Sequence, residues 1–253
     1  MKSINLLGLR VDNVTMQEAV EKIEDFILTK RPHICVTLDF FDSFREAKSD
    51  PMFYEVVNSA DLVIPDAMTV IWLSKILGMP LKERVTGLDL TIKLCELSSK
   101  KGYSLYLLGS TDNILAKTKE ILENKYKAKV VGTYSPPFGS WDVVEEEMIN
   151  DINEKSPDIL LVATGVGKGE KWLHKNLRKL NVSFCMQIGG TFDTICGNRK
   201  RAPPWMQRIG LEGVFYIVCQ PWRIKRVVAS IKTVLPDIVK AVITRTSDST
   251  RRK

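Results

Sequence analysis

A regular exchange of short apolar runs with longer stretches of helical period constrains this chain more than any other feature. Residues 4–11, 33–37, 61–64, 104–108, 129–134, 158–163 and 182–188 read as strands. Between them, 16–28, 40–60, 67–77, 88–100, 112–125, 141–155 and 170–180 place apolar residues at helical spacing. Thr15 with Glu18 makes a capping box, and Asp50-Pro51 marks a turn inside the 40–60 stretch. This alternation predicts an α/β fold: a Rossmann-like, mostly parallel sheet with helices on both faces. Ligands in such sheets bind beyond the carboxyl ends of the strands. That rule gathers Thr37, Asp39, Asp66, Gly109, the 165–169 stretch, Gly189 and Gly190 along one rim.

The alternation ends near residue 196, and the charge balance changes there too. From Gly197 onward the chain carries 13 Lys/Arg against 3 Asp/Glu, whereas the first 196 residues carry 24 against 27. The division predicts an α/β core over 1–196 and a basic C-terminal appendage over 197–253. Trp205, Met206, Phe215, Tyr216 and Trp222 lie between its charges. That mixture suits a surface meeting anionic groups and an apolar phase; a basic surface helix with its core face inward accounts for the same pattern. No run of about 18 apolar residues occurs, so a membrane would be met from its surface. The apolar run at 4–9 is too short for a signal peptide. The 5 cysteines show no CxxC spacing and lie mostly in apolar runs, as reduced core cysteines of a cytosolic protein do. His33 and His174 are too few and too isolated for a zinc site.

Three local patterns carry chemistry. Gly165, Gly167 and Gly169 fail the dinucleotide fingerprint, because Glu170 stands where its third glycine belongs. The stretch is either a tight turn before a helix or a helix N-terminus open to phosphate, with Lys168 adding charge. Asp66 follows proline at a strand end, where a carboxylate either caps a helix or serves as a general base raised toward neutrality by apolar surroundings. Arg84 sits in a loop with Lys82 and Glu83. No DxD occurs, so in a sugar-nucleotide enzyme cationic side chains would have to stabilise a diphosphate leaving group.

These residues resemble the WecG/TagA/CpsF family, glycosyltransferase family 26, from about residue 4 to 226. The likeness rests on Thr37-Leu38-Asp39, the segment 59–66 ending in Pro65-Asp66, Glu83-Arg84-Val85-Thr86-Gly87-Leu88-Asp89, Leu107-Leu108-Gly109, 165–172, and 189–207 with its Arg199-Lys200-Arg201-Ala202-Pro203-Pro204-Trp205 core. The resemblance implies an inverting glycosyltransferase that uses no metal and no cofactor. It would move N-acetylmannosamine or its uronic acid from a UDP donor to a sugar on undecaprenyl diphosphate, as in teichoic acid or surface polysaccharide synthesis. Asp66 matches the family's catalytic aspartate, Thr37 its active-site threonine and Arg84 its pocket arginine. Asp39, Gly109, Gly165, Lys168 and Gly189 fall at substrate-binding positions, and Arg208, Arg223 and Arg226 are candidates for arginines that the family's C-terminal segment supplies. The implied partners are the UDP-sugar, the lipid-linked acceptor and an anionic membrane surface on its cytoplasmic side, with homo-oligomerisation left open. Nucleic acid is not among them, since no recognised module accompanies the basic tail.

Four positions depart from the family pattern: Asp39 stands for asparagine, Ala67 for the glycine of PDG, Gly169 for a glutamine, and Ser110 for a second glycine. A carboxylate at 39 should weaken anion binding unless it is protonated or paired. Asp39 and Gly169 motivate a competing reading, a member without catalysis that acts as a membrane-associated scaffold in envelope assembly.

Overall fold

The computed structural model describes residues 2–139 and 141–251. It opens with β1 (Ser3–Leu6) and β2 (Leu9–Asp12), paired antiparallel with Leu6 opposite Leu9. The strand expected over 4–11 is therefore a hairpin, turned by Leu7 at φ 50° and Gly8 at φ 92°. Those two positive φ angles are what a two-residue hairpin loop requires. Helix α1 (Met16–Thr29) starts from the expected capping box: Glu18 N donates to Thr15 Oγ1 at 3.2 Å, and Thr15 N to Glu18 Oε2 at 2.8 Å.

The alternating part continues with β3 (His33–Leu38), α2 (Phe41–Ser49), α3 (Pro51–Ser59), β4 (Leu62–Pro65), α4 (Met68–Ile76), α5 (Gly87–Lys101) and β5 (Ser104–Gly109). It closes with α6 (Asp112–Tyr126), β6 (Lys129–Tyr134), α7 (Glu145–Lys155), β7 (Ile159–Ala163), α8 (Lys168–Asn176) and β8 (Phe184–Gln187). The 40–60 stretch is two helices, because Asp50 Oδ1 accepts from Met52 N at 2.9 Å and Pro51 takes the first helical position. Helix α7 starts at Glu145 rather than 141; Trp141 is buried instead, edge-on to Trp172 with ring centroids 5.6 Å apart.

Strands β3 to β8 form one six-stranded sheet in the order β4-β3-β8-β7-β5-β6, every pair parallel. Helices flank it, as the alternation predicts. Side chains alternate across the sheet. Val36, Leu38, Tyr106, Leu160 and Cys185 join a core under α2, α3, α7 and α8. Cys35, Ile64, Leu107, Leu161 and Phe184 join another under α1, α5 and α6. Burial on both faces explains why these strands are continuously apolar rather than alternating. It also fixes the register that delivers each polar strand end to the same edge.

After β8 come α9 (Thr191–Ile195), α10 (Pro204–Arg208), α11 (Glu212–Cys219) and α12 (Arg223–Arg251). Helix α12 packs along α2: Ser230 and Val234 are buried there, and Lys48 Nζ donates to Asp237 Oδ2 at 2.6 Å and to the Thr233 carbonyl at 2.9 Å. Its other face exposes Ile224, Val228, Ile231, Leu235 and Val239. Trp205 and Trp222 are 60% and 71% exposed nearby in the chain. No helix among the described residues is long and apolar enough to cross a membrane.

Candidate active site at the strand carboxyl ends

Asp66 is set by the register of the two outermost strands on its side of the sheet. Leu38 pairs with Pro65, and Asp66 N donates to the Leu38 carbonyl at 3.0 Å. Its Oδ1 accepts from Gly87 N at 2.7 Å. The cap that a carboxylate at this position could form is thus real, but it serves the first turn of α5 rather than the adjacent α4. Among the described residues Oδ2 accepts no hydrogen bond. Burial pushes the carboxyl up from its ordinary value, and the nearby Glu212 and Asp89 add to this; the Gly87 N–H and the Arg84 guanidinium pull the other way. The result is a half-buried carboxylate more basic than usual with one oxygen uncommitted.

Thr37 lies beside it. Its Oγ1 donates to the Gln187 carbonyl at 3.3 Å. A Cβ at Gly87 would come within 3.2 Å of Thr37 Cγ2, so the first residue of α5 touches both Asp66 and Thr37. Asp39, at the neighbouring strand end, accepts from Asp42 N at 2.8 Å and Ser43 N at 3.3 Å, which ties it to the first turn of α2. Burial, followed by the Asp42 charge, pushes its carboxyl up to about 6, with Asp66 contributing. Asp39 is therefore both hydrogen-bonded and easily protonated, the two conditions that soften its effect on an anionic ligand.

A further buried carboxyl, Glu170, stands behind this pair. It accepts from Gly167 N at 2.9 Å, closing the turn before α8, and burial pushes it up to about 7, with Asp39 and Glu46 adding to the rise. Gly169 is buried; a Cβ there would lie 2.5 Å from Thr164 Oγ1 and 2.8 Å from Gln187 Cγ. Helix α8 thus packs its backbone directly on the ends of β7 and β8, leaving no room at 169 for a longer side chain.

The segment beyond β8 is fastened to this rim by three ion pairs. Arg84 Nη1 donates to Glu212 Oε2 at 2.7 Å. Arg201 grips Asp89 with Nη1 and Nη2 at 2.7 and 2.6 Å, a bidentate pair on the first turn of α5. Arg226 donates to Asp42, whose other oxygen accepts from Ser230 Oγ at 3.3 Å. The Arg199 and Arg223 guanidinium carbons lie 5.2 and 5.6 Å from the Tyr216 ring centroid. Burial, then Arg199 and Arg226, lowers the Arg223 pKa, the mark of cations gathered in one place.

Contacts thus link Thr37 with Asp66 through Gly87, Asp39 with Arg226 through Asp42, and Arg84 with Arg223 through Glu212 and Tyr216. Gly109 ends β5 against the Ala163 carbonyl, farther along the sheet. Gly165 is exposed with open space at its Cβ position, and Gly189, at φ 55°, likewise faces no neighbour. Lys168 is turned aside: its Nζ donates to the Gly139 carbonyl and lies 4.5 Å from the Trp141 ring centroid. Arg208 is exposed at the end of α10 without a polar partner among the described residues. Sequence reasoning missed Arg199, Tyr216, Glu212 and Glu170 as site residues. The available signal was Glu212, the one acid in a basic stretch, which meets the loop arginine it is 128 residues away from. Chemically, the rim offers a basic carboxylate for a hydroxyl proton and planar cations for phosphate oxygens.

The sequence profile described as "Glycosyl transferase WecG/TagA/CpsF family" matches residues 4–248. Similar proteins include the N-acetylglucosaminyldiphosphoundecaprenol N-acetyl-beta-D-mannosaminyltransferase of Bacillus spizizenii, 28% identical over 86% of this chain and 78% of that protein. The protein of the same name from Bacillus subtilis is 27% identical over 83% of this chain and 77% of its own length. Its namesake in Staphylococcus aureus is 24% identical over 94% and 92%.

Proposed function

The chain belongs to the WecG/TagA/CpsF family of glycosyl transferases, and on that premise we propose that it transfers N-acetylmannosamine, or a closely related sugar, from a UDP donor to GlcNAc-diphosphoundecaprenol. The names of its relatives support the sugar and the acceptor. In this reading the acceptor hydroxyl oxygen attacks the anomeric carbon as the bond to the UDP oxygen breaks. The hydroxyl proton passes to Asp66 Oδ2, and UDP leaves with the bonding electron pair. One displacement inverts the anomeric centre. Thr37, fixed on β3 next to Asp66, positions the reacting sugar.

The departing diphosphate gains negative charge, and guanidiniums held in place before the reaction stabilise it without reorganising. Arg84, Arg223 and Arg226 fill that role in place of a metal. The exposed tryptophans and the apolar face of α12, together with the basic excess after Gly197, attach the enzyme peripherally to the cytoplasmic face of the membrane. Each Lys or Arg near an anionic surface contributes about 1 kcal/mol.

The observation that carries the reading is the Asp66 carboxylate, raised in basicity, with Oδ1 held by Gly87 N at 2.7 Å and Oδ2 uncommitted. The test is incubation with UDP-N-acetylmannosamine and a short-chain GlcNAc-diphospholipid, followed by mass spectrometry of the lipid. Gain of one N-acetylhexosamine with stoichiometric UDP release is expected. Tight UDP binding with an unmodified acceptor would reject the transfer and favour a scaffold.

A further inference from the structure

Arg199 and Arg223 present an unusual arrangement. Both guanidiniums lie over the one Tyr216 ring, at 5.2 and 5.6 Å from its centroid. Among the described residues neither has a carboxylate within ion-pair distance, whereas Arg84, Arg201 and Arg226 each have one. Arg199 is further constrained. Its Nε donates to Thr194 Oγ1 at 3.0 Å, and its Nη1 would lie 2.6 Å from a Cβ at Gly190, so the guanidinium lies close over that glycine. The Tyr216 hydroxyl donates to Glu212 Oε1 at 3.1 Å, and Glu212 Oε2 accepts from Arg84. Burial keeps the phenol neutral, with its pKa pushed up to about 12.

Two unpaired cations repel each other unless something holds them. The negative face of an aromatic ring does this without neutralising them, as a carboxylate would. Glu212, in turn, is engaged by the Tyr216 hydroxyl and by Arg84, so its charge is spent before it reaches Arg199 or Arg223. We propose that Tyr216 is a positioning residue that holds the Arg199 and Arg223 guanidiniums together as a seat for a diphosphate, with Glu212 anchoring the ring to the rim through Arg84. The seat includes Arg199, and it rests on the proposed reading for the identity of the diphosphate as that of the sugar nucleotide. The ring face is the working part, and the hydroxyl is an anchor.

The full-length protein tests this by calorimetric titration with UDP and, separately, with inorganic pyrophosphate, alongside steady-state transfer. Tyr216→Phe keeps the ring but loses its bond to Glu212, so UDP affinity should fall by less than in Tyr216→Leu. Tyr216→Leu should weaken both UDP and pyrophosphate roughly tenfold and raise the donor KM more than it lowers kcat. Arg199→Gln should do the same, and the double variant should lose less than the product of the single effects. Circular dichroism and melting temperature identify the folded variants. Should Tyr216→Leu cause misfolding, Tyr216→Met with Arg199→Gln supplies the same cycle. Unchanged UDP and pyrophosphate affinity in a folded Tyr216→Leu protein, or equal losses in Tyr216→Phe and Tyr216→Leu, would overturn the seat while transfer by the wild type stands. Pyrophosphate binding that depends on Tyr216, in a protein that transfers no sugar, would uphold the seat and reject the reading on which the nucleotide rests.

Discussion

Replacing Asp66 by asparagine isolates the proton-accepting role, because the two side chains share shape. The amide oxygen of the replacement can still accept the Gly87 N–H now bound at 2.7 Å, so the link between β4 and α5 survives. What is lost is the second oxygen as a base. General-base catalysis of this kind contributes about 100- to 10,000-fold, or roughly 3–5 kcal/mol of barrier, and kcat should fall by that amount. Stability should barely change. The Asp66 carboxyl is raised mainly by burial, so its ionised form is disfavoured in the fold; a neutral amide removes that cost while giving up the attraction of Arg84. These opposed effects leave a change within about 1 kcal/mol. UDP release with the lipid acceptor present gives kcat, differential scanning fluorimetry gives stability, and UDP titration shows whether the donor site is intact. A folded, UDP-binding Asp66→Asn enzyme turning over within about threefold of wild type, far short of the loss expected for a missing base, would refute the assignment.

Other outcomes follow from the same geometry. Glu170, at about 7, and Asp39, at about 6, bind protons in the fold at pH values where the unfolded chain has released them. Their contribution to stability is therefore full near pH 4 and lost as pH rises through about 6 to 7. The melting temperature of Glu170→Gln relative to wild type should rise between pH 5 and pH 8, and a pH-independent difference would contradict this. Gly169→Gln restores the family pattern but forces a Cβ to within 2.5 Å of Thr164 Oγ1, so urea denaturation should show a loss of about 1–3 kcal/mol. Trp205→Glu with Trp222→Glu, at positions 60% and 71% exposed, should lower sedimentation with anionic vesicles while leaving the melting temperature within a few degrees. Retained vesicle binding would remove those side chains from the proposed membrane surface.

Much of the site was legible because register does the placing. Once β3 and β4 are read as neighbouring buried parallel strands, Thr37, Asp39 and Asp66 must emerge at one edge, and the structure puts them there. The hairpin at Leu7-Gly8 was hidden because a single glycine interrupts an otherwise strand-like run, and nothing local requires Leu7 to take positive φ. The split at Asp50-Pro51 was visible as a turn; that it caps a second helix depends on a carboxylate oxygen reaching Met52 N. Lys168 shows the opposite limit. A lysine at a helix start invites an anion, but Trp141 and the Gly139 carbonyl claim it from 27 and 29 residues upstream. Glu212 and Tyr216 stand one helical turn apart on α11, but no sequence period brings them to the rim. Their grouping with Arg199 and Arg223 comes from α11 and α12 folding back onto α2 and the loop before α5, contacts separated by more than a hundred residues.

A single displacement at the anomeric carbon is reported directly by the stereochemistry of the new bond. With the α-anomer of UDP-N-acetylmannosamine as donor, nuclear magnetic resonance of the isolated lipid-linked disaccharide should show a β linkage. An α linkage would contradict a one-step transfer with Asp66 as base.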